Sequence, residues 1–404
     1  MRAVIKPSKA KGIITAPPSK SMAHRMLICA GLSEKESVIE NIEESQDILA
    51  TLDCLEVLGA EYKYENNTVT IKGLPYDRFN HYAILPCREC GSTLRFFIPI
   101  CLLKGKAFSL NGSERLLKRP LDVYEKLCDE RGMIFSNNGV CITVKGPLEP
   151  GDYTLDGGVS SQFISGLLFA LPLLNGDSRI RLTGRIESRS YIDLTVSALK
   201  QFGVIVSWED DRTLYIKGGQ KYGGMNTRVE GDYSNAAFLD AFNLLEGEVD
   251  VTGLSDDSLQ GDRVYKEHLE ALKKGTPTIS LADCPDLGPV LFALAAALNG
   301  ATFTDTERLK IKESDRVAAM AQELAKFGAE VVADENKVTI KGGGLKTPKE
   351  TLNGHNDHRI VMAMAVLASV TGGEITEAEA VRKSFPDFFE RLRDIGINAV
   401  TTEE

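Results

Sequence analysis

The stretch DCLEVLGAEYKYENNTVTIKG, residues 53–73, decides the fold because its pattern returns along the chain. Its first part carries apolar side chains at helical spacing, and Gly59 follows as a helix stop. Alternating side chains on either side of Asn66 and Asn67 then predict two strands joined by a tight turn. One unit therefore consists of a helix, a glycine, a β-hairpin and the closing Gly73.

Copies of this pattern stand at residues 127–146, 199–218 and 324–342. Two degenerate copies, 269–275 and 392–400, keep the helix and its glycine, but the first has a reduced hairpin and the second lacks its closing strand. The glycines expected to end the helices in a left-handed conformation are Gly59, Gly132, Gly203, Gly275, Gly328 and Gly396. Their spacings of 73, 71, 72, 53 and 68 residues predict six units with an abbreviated fourth.

Six units divide naturally into two domains of three. A Gly-containing segment near residue 225 separates the halves, so we expect a first domain at 15–225 and a second at 1–14 plus 226–404. The N-terminal stretch Ala3 to Ile14 is then available to supply the strand that the last unit lacks. The predicted fold class is α/β, because each unit alternates helices with strands.

Composition and charge exclude several classes of protein. The 404 residues are 43% hydrophobic and 26% charged, which is enough apolar content for a large core and excludes disorder throughout the chain. The net charge of -10 disfavours nucleic-acid binding, which needs clustered Lys and Arg. No apolar run approaches the ~18 residues of a membrane span, and Met1–Pro7 shows no secretory signal. We expect a cytoplasmic protein without membrane contact.

The cysteines suggest neither a disulfide framework nor a zinc site. Eight of them are scattered over 404 residues, so we expect reduced thiols. Cys87-x-x-Cys90 is the one suggestive pair, but a structural zinc ion needs about four ligands and no second pair is present. No metal is therefore expected.

Three stretches of the first half place small or hydroxyl-bearing residues and cations where helices are expected to begin. They are Pro17 to Arg25, Glu89 to Arg95, and Val159 to Phe163. The free backbone N–H groups at a helix start attract anions, and nearby Lys and Arg add positive charge. Each stretch taken alone is also explained as an ordinary N-cap with solvated basic residues.

The second half carries charge-dense stretches at equivalent places in the repeats: Lys310 to Arg316, Asn356 to Arg359, and Arg382 to Asp387. Solvated surface faces, an N-cap role for Asp286 and a structural hydrogen bond for His358 are the simpler alternatives. If the helix starts of both domains face one cleft, however, their dipoles and cations converge. The cations are Lys20, Arg25, Arg95, Arg119, Lys312, Arg316, Arg359 and Lys383. Such a set suits ligands that carry several phosphates and carboxylates.

Taken in order, the motifs resemble those of the EPSP synthases (5-enolpyruvylshikimate-3-phosphate synthases, or 3-phosphoshikimate 1-carboxyvinyltransferases) over essentially the whole chain. The matching stretches are Pro18 to Arg25, Gly91 to Arg95, Lys118-Arg119-Pro120, Ser160-Ser161-Gln162, Ser188 with Tyr191 to Asp193, Gly231-Asp232, Gln260-Gly261-Asp262, Pro285-Asp286, Lys312 to Arg316, Asn356 to Arg359, and Lys383 to Asp387.

The resemblance implies a fold and a reaction. The fold is a two-domain inside-out α/β barrel of the enolpyruvyl transferase type, with three βαβαββ units in each domain and the active site in the cleft between them. The reaction transfers the enolpyruvyl group of phosphoenolpyruvate (PEP) to the 5-hydroxyl of shikimate 3-phosphate and releases phosphate. It belongs to the shikimate pathway of aromatic amino-acid biosynthesis. The resemblance implies no cofactor, and we expect a monomer.

The resemblance also assigns individual residues. Those expected to hold shikimate 3-phosphate are Lys20, Ser21, Arg25, Ser160, Ser161, Gln162, Ser188, Asp286 and Lys312. Those expected to hold PEP are Lys20, Gly91, Arg119, Gln162, Arg316, Arg359 and Lys383. Asp286 matches the base and shares that role with Lys20, Glu313 matches the acid, and His358 lies nearby. Arg308 stands where some members carry a ligand-contacting Asn, so its role is left open.

Two alternatives to this function remain. The sister enolpyruvyl transferase that acts on UDP-N-acetylglucosamine uses a loop cysteine, whereas Cys128 is the first cysteine after Arg119 and lies on an expected helix. A non-catalytic phospho-ligand binder would not need the acid and base at Asp286 and Glu313. The family resemblance further implies that glyphosate competes with PEP, and that Gly91→Ala weakens glyphosate more than PEP.

Overall fold

The computed structural model describes residues 1–80 and 82–403. Its strands are β1 (Arg2–Lys6), β2 (Lys11–Thr15), β3 (Ser37–Glu40), β4 (Glu61–Glu65), β5 (Thr68–Lys72), β6 (Ile84–Pro86), β7 (Ala107–Asn111), β8 (Ile134–Asn137), β9 (Cys141–Lys145), β10 (Asp152–Asp156), β11 (Ser178–Thr183), β12 (Val206–Trp208), β13 (Thr213–Ile216), β14 (Asn226–Arg228), β15 (Glu248–Thr252), β16 (Thr278–Ser280), β17 (Gly300–Thr304), β18 (Glu330–Ala333), β19 (Lys337–Lys341), β20 (Leu352–Asn353), β21 (Gly373–Thr376) and β22 (Asn398–Thr402).

Six of the α-helices begin within or directly after the small-residue and charged motifs, as the sequence predicts; they start at Lys20, Gly91, Ser161, Arg316, His358 and Phe388. The α-helices are α1 (Lys20–Gly31), α2 (Gln46–Leu58), α3 (Gly91–Leu102), α4 (Glu114–Leu117), α5 (Asp122–Glu130), α6 (Ser161–Ala170), α7 (Arg189–Gln201), α8 (Tyr233–Asp240), α9 (Tyr265–Lys274), α10 (Gly288–Ala297), α11 (Arg316–Lys326), α12 (His358–Thr371) and α13 (Phe388–Asp394).

The stretch of residues 53–73 folds as predicted. Ser45 caps α2 by accepting a hydrogen bond from the backbone N–H of Ile48, and Gly59 ends the helix in a left-handed conformation. The strands β4 and β5 then form an antiparallel hairpin in which Glu65 faces Thr68. The apolar side chains of β5, Val69 and Ile71, are buried on one face of the strand.

The same strand order recurs in five four-stranded sheets. In each sheet a parallel pair is followed by two antiparallel pairings. The orders are β14–β3–β5–β4, β6–β7–β9–β8, β10–β11–β13–β12, β16–β17–β19–β18 and β20–β21–β1–β22. A sixth sheet contains only the parallel pair β15 and β2. It belongs to the fourth unit, in which no hairpin follows α9 within the structure as described.

Residues 18–230 form one compact unit, and residues 1–17 with 231–404 form the other. The boundaries lie a few residues from the expected positions 15 and 226. Strand β14 pairs with β3, so its residues belong with the first unit, and β2 pairs with β15 of the second. Each unit has its own apolar core, one extending from Met22 to Val229 and the other including Ala3 and Ala399.

The N-terminal strand completes the sheet of the last unit. Strand β1 lies between β21 and β22, and Ala3 is paired with Ile375 on one side and Thr401 on the other. This is the strand that we expected the N-terminal segment to supply. The apolar side chains of Ala3 and Ile5 are buried there.

Two kinds of glycine shape the repeats. The helix-ending glycines have positive φ at Gly59, Gly132, Gly203, Gly328 and Gly396, as expected. The prediction is wrong at Gly275, whose φ of 168° is extended backbone that any residue adopts, because no hairpin has to be started there. The closing Gly73 is needed for another reason: a Cβ would lie 1.9 Å from the carbonyl oxygen of Gly31.

Two expectations, that the chain has no membrane-spanning helix and that its cysteines are reduced, can be compared with the structure. Within residues 1–80 and 82–403, no helix is both long enough and apolar enough to cross a membrane. All eight cysteines are free thiols, and all except Cys141 are buried.

Candidate active site

The starts of α1 and α2 are joined by a short ion pair. Ser19 caps α1 through the backbone N–H of Met22, which leaves Lys20 as the first helical residue. The Lys20 ammonium lies 2.6 Å from a carboxylate oxygen of Asp47, in the first turn of α2. Both side chains are largely buried, with 14% and 11% exposed. Lys20 is therefore held in one place, with its charge partly balanced.

The starts of α3 and α6 are joined by Gln162. Its amide nitrogen donates to the hydroxyl of Ser92 at 2.8 Å, and its amide oxygen accepts from the guanidinium of Arg95 at 2.8 Å. Ser160 caps α6 through the backbone N–H of Gln162. The side chain of Ser161 is buried beside it. The two motifs that the sequence places in successive units thus meet in three dimensions.

Gly91 lies directly against two guanidinium groups. A Cβ at this position would stand 2.5 Å from Nη1 of Arg119 and 3.3 Å from Nη1 of Arg95. Any side chain here must therefore displace Arg119, or the helix start must move. The glycine lets two cations approach the first turn of α3, where free backbone N–H groups are also suited to an anion.

Arg25 and Ser188 are buried more deeply than ligand-binding residues need to be. Arg25 is 2% exposed, and its guanidinium donates to Thr195 Oγ1 and to the backbone oxygens of Ser21 and Tyr191. Burial lowers the pKa of Arg25 to about 10. Ser188 is fully buried and has a positive φ of 53° immediately before α7. The hydrogen bonds of Arg25 join α1 to α7, and the contact of Arg25 and Ser188 with a substrate stays a prediction.

One group of the first unit has the spacing of metal ligands. Among the described residues, ligand atoms of His24, Asp47 and Cys90 lie within 4.8 Å of one another. Asp47 is already paired with Lys20, and burial raises the pKa of the Cys90 thiol to about 12. The charges of Lys20 and Arg25 also help to lower the pKa of His24. This positive surrounding disfavours a cation.

In the second unit, Arg316 is the centre of a buried charge network. This first residue of α11 is only 1% exposed. Its Nε donates to Asp357 at 2.9 Å, its Nη1 to Asp286 at 2.8 Å and its Nη2 to Glu313 at 2.7 Å. These carboxylates outweigh the effect of burial and raise the pKa of Arg316 further. The starts of α10, α11 and α12 meet at this guanidinium.

Asp286 is surrounded by three cations. It lies in a single 3₁₀ turn, Pro285–Leu287, and makes no side-chain cap to α10, so the N-cap interpretation is wrong. Its carboxylate oxygens lie 2.8 Å from Arg316, 3.3 Å from Arg359 and 3.4 Å from Lys312. Burial alone would raise the pKa of Asp286, but the three positive charges hold that pKa well below its usual range.

Arg359 offers hydrogen-bond donors that the protein itself does not use. It is 5% exposed, and its Nη2 faces Asp286. Its Nε and Nη1 are buried without a hydrogen-bond partner in residues 1–80 and 82–403. A buried guanidinium with unused N–H groups is suited to a carboxylate or phosphate ligand. Lys383 donates to the backbone oxygen of Asn356 at 2.7 Å, close to the start of the same helix.

Two further groups of this unit have pKa values shifted toward neutrality. Burial lowers the pKa of the Lys312 ammonium to about 8, against the attraction of Asp286. Burial and the charge of Asp286 raise the pKa of Asp262 to about 7. His358 is buried, and its Nδ1 lies 3.9 Å from Asp357.

Several charged residues that organise these clusters were not predicted from the sequence. Asp357 is fully buried and holds Arg316, but within its motif only His358 and Arg359 were assigned. Its position directly before α12, where it caps the backbone N–H of Arg359, was the available signal. Asp47 offered a similar signal as an acid in the first turn of α2.

The simpler interpretation of the charged stretches as solvated faces is wrong for their central residues. Arg316 and Arg359 are buried, and Lys20 is mostly covered. The structure brings Lys20, Gly91, Arg95, Arg119 and Gln162 to the helix starts of the first unit. In the second unit it brings together Asp286, Lys312, Glu313, Arg316, His358, Arg359 and Lys383.

The chain is similar to known proteins of one family. The family model described as EPSP synthase (3-phosphoshikimate 1-carboxyvinyltransferase) matches residues 4–392. A 3-phosphoshikimate 1-carboxyvinyltransferase of Clostridium perfringens is 40% identical over 422 residues, covering 98% of this chain and 98% of that protein. One of Clostridium kluyveri is 41% identical over 421 residues, covering 97% of this chain and 96% of its own.

Solved structures agree in fold. Two structures of EPSP synthase from Acinetobacter baumannii superpose with TM-scores of 0.80 and 0.79, at 23% and 22% identity. Each comparison covers 100% of both chains. Because the family model spans nearly the whole sequence and the clostridial relatives match it from end to end, the chain belongs to the EPSP synthase family.

Proposed function

We propose that this protein transfers the enolpyruvyl group of PEP to the 5-hydroxyl of shikimate 3-phosphate and releases inorganic phosphate. Family membership supports the reaction. The observation that carries the proposal is the juxtaposition of Asp286 and Arg359. An ionised carboxylate that can take a proton lies 3.3 Å from a guanidinium whose remaining N–H groups are available to an anion.

The charges around Asp286 suggest how its basicity is controlled. With three cations beside it, the carboxylate is a weak base, because its pKa lies well below the usual range. Substrate phosphate and carboxylate groups that bind Arg359 and Lys312 would offset part of that positive charge. The pKa of Asp286 would then rise, and its carboxylate would become a better acceptor for the proton of the 5-hydroxyl.

The chemistry requires two proton transfers in each of its two steps. In the first step the 5-oxygen forms a bond to C2 of PEP, Asp286 accepts the hydroxyl proton, and an acid protonates C3. In the second step a proton of the C3 methyl group returns to the acid, the bond from C2 to the phosphate oxygen breaks, and the phosphate leaves with the proton held by Asp286. We assign Asp286 with Lys20 as base and Glu313 as acid, with His358 nearby.

An ion pair of Glu313 opposes its assigned role as the acid, so the substrates must weaken this pair. Glu313 lies 2.7 Å from Nη2 of Arg316, an ion pair that favours its ionised form. A PEP anion that recruits Arg316 would weaken this pair. Protonation of Glu313 then becomes easier at the moment when C3 needs a proton.

The remaining residues would bind and orient the two anions. For PEP these are Lys20, Gly91, Arg119, Gln162, Arg316, Arg359 and Lys383. For shikimate 3-phosphate they are Lys20, Ser21, Arg25, Ser160, Ser161, Gln162, Ser188, Asp286 and Lys312. An arginine guanidinium can donate two parallel hydrogen bonds to a carboxylate or a phosphate, and Lys20 provides a point charge.

We also propose the finer features of the family for this chain. These are the inside-out barrel built from six βαβαββ units with the fourth abbreviated, a monomeric state and a cytoplasmic location. The strand order shared by five of the sheets supports the repeat. A ligand site formed by both units stays a prediction.

A phosphate-release assay tests the function. Purified protein with PEP and shikimate 3-phosphate should release phosphate and form the enol ether, and either substrate alone should give none. Replacing shikimate 3-phosphate by UDP-N-acetylglucosamine tests the sister transferase. Burial raises the pKa of Cys128 on α5 to about 11, which makes it a poor acid or nucleophile for that reaction. Turnover only with the nucleotide sugar, or with neither acceptor, would reject the proposal.

A further inference from the structure

A backbone turn immediately before α12 is held in an unfavourable conformation. His355 and Asn356 have φ values of 51° and 48°, so two successive side-chain-bearing residues are in the left-handed region. Such residues persist only where the surrounding structure holds them, and they cluster at functional sites. Gly354 precedes them at a tight approach, since a Cβ there would lie 2.6 Å from Val361 and 2.7 Å from the carbonyl oxygen of Thr376.

Glu323, on α11, holds one side of this turn. Its carboxylate is fully buried and accepts from Nε2 of His355 at 2.9 Å and from the backbone N–H of Asn353 at 2.9 Å. Lys326 provides the counter-charge at 2.9 Å and also donates to the backbone oxygen of Thr351. One buried carboxylate thereby fixes the chain on both sides of Gly354.

A second carboxylate holds the opposite side. The backbone N–H of Asn356 donates to the side chain of Glu377, and Gly354 donates to the backbone oxygen of Thr376. The turn thus lies between α11 and the segment that follows β21. It has little freedom to relax while both carboxylates are in place.

The turn presents the groups that we assign to PEP. The backbone oxygen of Asn356 accepts from Lys383 at 2.7 Å. The next residue, Asp357, holds Arg316, and Arg359 follows in the first turn of α12. In contrast, Asp286 and Lys312, which we assign to shikimate 3-phosphate, are not part of this turn.

We propose that Glu323 is a positioning residue for the PEP subsite. It fixes the His355–Asn356 turn, and through that turn it sets the places of Lys383, Arg316 and Arg359. The role rests on the proposed function, because it names the substrate whose binding depends on the turn. The spacing in the sequence indicates this relation, because Glu323 lies seven residues after Arg316 and therefore on the same face of α11.

The test compares three variants in steady-state kinetics. Glu323→Gln removes the charge that holds the turn. His355→Asn removes the contact from the other side but keeps a residue type that tolerates left-handed backbone. Glu330→Gln is the matched control, since this Glu forms an exposed ion pair with Lys341 at 2.7 Å on β18 and β19. Thermal unfolding of each variant separates misfolding from mispositioning.

We expect E323Q and H355N to raise the KM for PEP by roughly 10- to 100-fold, because displacement of binding groups by about 1 Å has effects of that size. The KM for shikimate 3-phosphate should rise less than that for PEP, because Lys312 also holds Asp286 and is not part of the turn. E330Q should behave as the wild type. Wild-type KM values for PEP in folded E323Q and H355N would overturn the proposal, as would an equal loss for both substrates. If E323Q does not fold, H355N decides alone.

The failure of this proposal is distinguishable from the failure of the proposed function. Wild-type protein that releases no phosphate from PEP would reject the function. The positioning role is then measured by calorimetric titration of inorganic phosphate into the same proteins. Weaker phosphate binding in H355N than in E330Q would support it, and equal binding would overturn it.

Discussion

Asp286 combines a catalytic assignment with an electrostatic one, and a single substitution separates them. Asp286→Asn keeps the shape of the side chain but removes the charge that balances Lys312, Arg316 and Arg359. We expect kcat to fall by about 10²–10⁴-fold, the usual contribution of a general base. The KM for PEP should stay equal or decrease, because the site becomes more positive.

Asp283→Asn is the control for this experiment, since Asp283 is exposed three residues away on the same segment. It should leave both constants unchanged. A D286N variant with wild-type turnover would show that another group accepts the proton. Raised KM values with unchanged kcat would instead limit Asp286 to its binding role.

Lys312 gives the reaction a pH dependence. Its pKa of about 8 means that the ammonium is charged at neutral pH and loses its proton as the pH rises through 8. The neutral amine no longer attracts the phosphate of shikimate 3-phosphate, so kcat/KM for this substrate should fall on the alkaline side. Lys312→Arg stays charged over the whole range and should remove this alkaline decrease. An unchanged profile in K312R would assign the decrease to a different group.

Gly91 requires a different prediction from the one made from sequence. The expectation was that a methyl group meets the longer inhibitor glyphosate before it meets PEP. In the structure the methyl group would first meet Nη1 of Arg119, at 2.5 Å. Because Arg119 is assigned to PEP, Gly91→Ala should raise the KM for PEP together with the inhibition constant for glyphosate. Measuring both constants in the two proteins checks this, and an unchanged KM for PEP would restore the original expectation.

At this scale the sequence predicted the cations better than the carboxylates. Arg316 and Arg359 stand out in short motifs before helices. Asp357, which holds Arg316, and Glu323, which holds the turn before α12, are fully buried, and a single sequence does not distinguish a buried acid from an exposed one. The pKa shift of Asp286 was equally inaccessible, because it depends on three cations that converge only in the folded unit.

At the scale of secondary-structure elements, the closing glycines of the hairpins can be tested by substitution. In four units the closing glycine approaches the backbone so closely that a Cβ would lie 1.9–2.2 Å from a backbone atom; these are Gly73, Gly146, Gly218 and Gly342. We therefore expect Gly73→Ala to lower the free energy of unfolding by about 1–3 kcal/mol, the usual cost of overpacking. Chemical denaturation measures this value directly.

Gly275→Ala is the matched control. This glycine has extended backbone, and a Cβ would meet nothing within 4 Å. The change should stay within about 0.5 kcal/mol, as for an ordinary surface substitution. If G275A is as damaging as G73A, close approach is not the reason for the closing glycines.

The elements that follow local rules were predictable. Alternating side chains around Asn66 and Asn67 predicted the hairpin, and Ser160 caps a helix whose start was expected. The prediction of a left-handed helix end was wrong at Gly275, because it assumes that a hairpin follows the glycine. The interpretation of Asp286 as an N-cap was wrong, because its carboxylate forms ion pairs with arginines and a lysine.

At the scale of the whole molecule, the two units differ in how they are connected. Residues 18–230 form a continuous segment with its own core and three complete sheets. We expect this segment to fold when it is produced alone, with cooperative unfolding and a helix and strand content close to that of the structure. Circular dichroism and amide exchange measure both properties.

Residues 231–404 without 1–17 provide the contrasting case. They lack β1 and β2, which pair with β21, β22 and β15. This fragment should stay largely unfolded until a peptide of residues 1–17 is added. Stable folding without the peptide would show that the two strands contribute little. The recurring glycines predicted this discontinuous unit from sequence alone, but the residues that each strand pairs with depend on registers that only the structure supplies.

The position of β1 also sets an order of events during protein synthesis. The strand is translated long before its neighbours in the sheet, β21 and β22. The unit of residues 18–230 can mature while the segments that follow it are still being made. Until β21 and β22 emerge, Ala3 and Ile5 have no sheet to enter, so the nascent chain must keep an apolar, strand-forming segment apart from other proteins. Chaperone capture of this segment should therefore matter more for the yield of this protein than its local stability suggests.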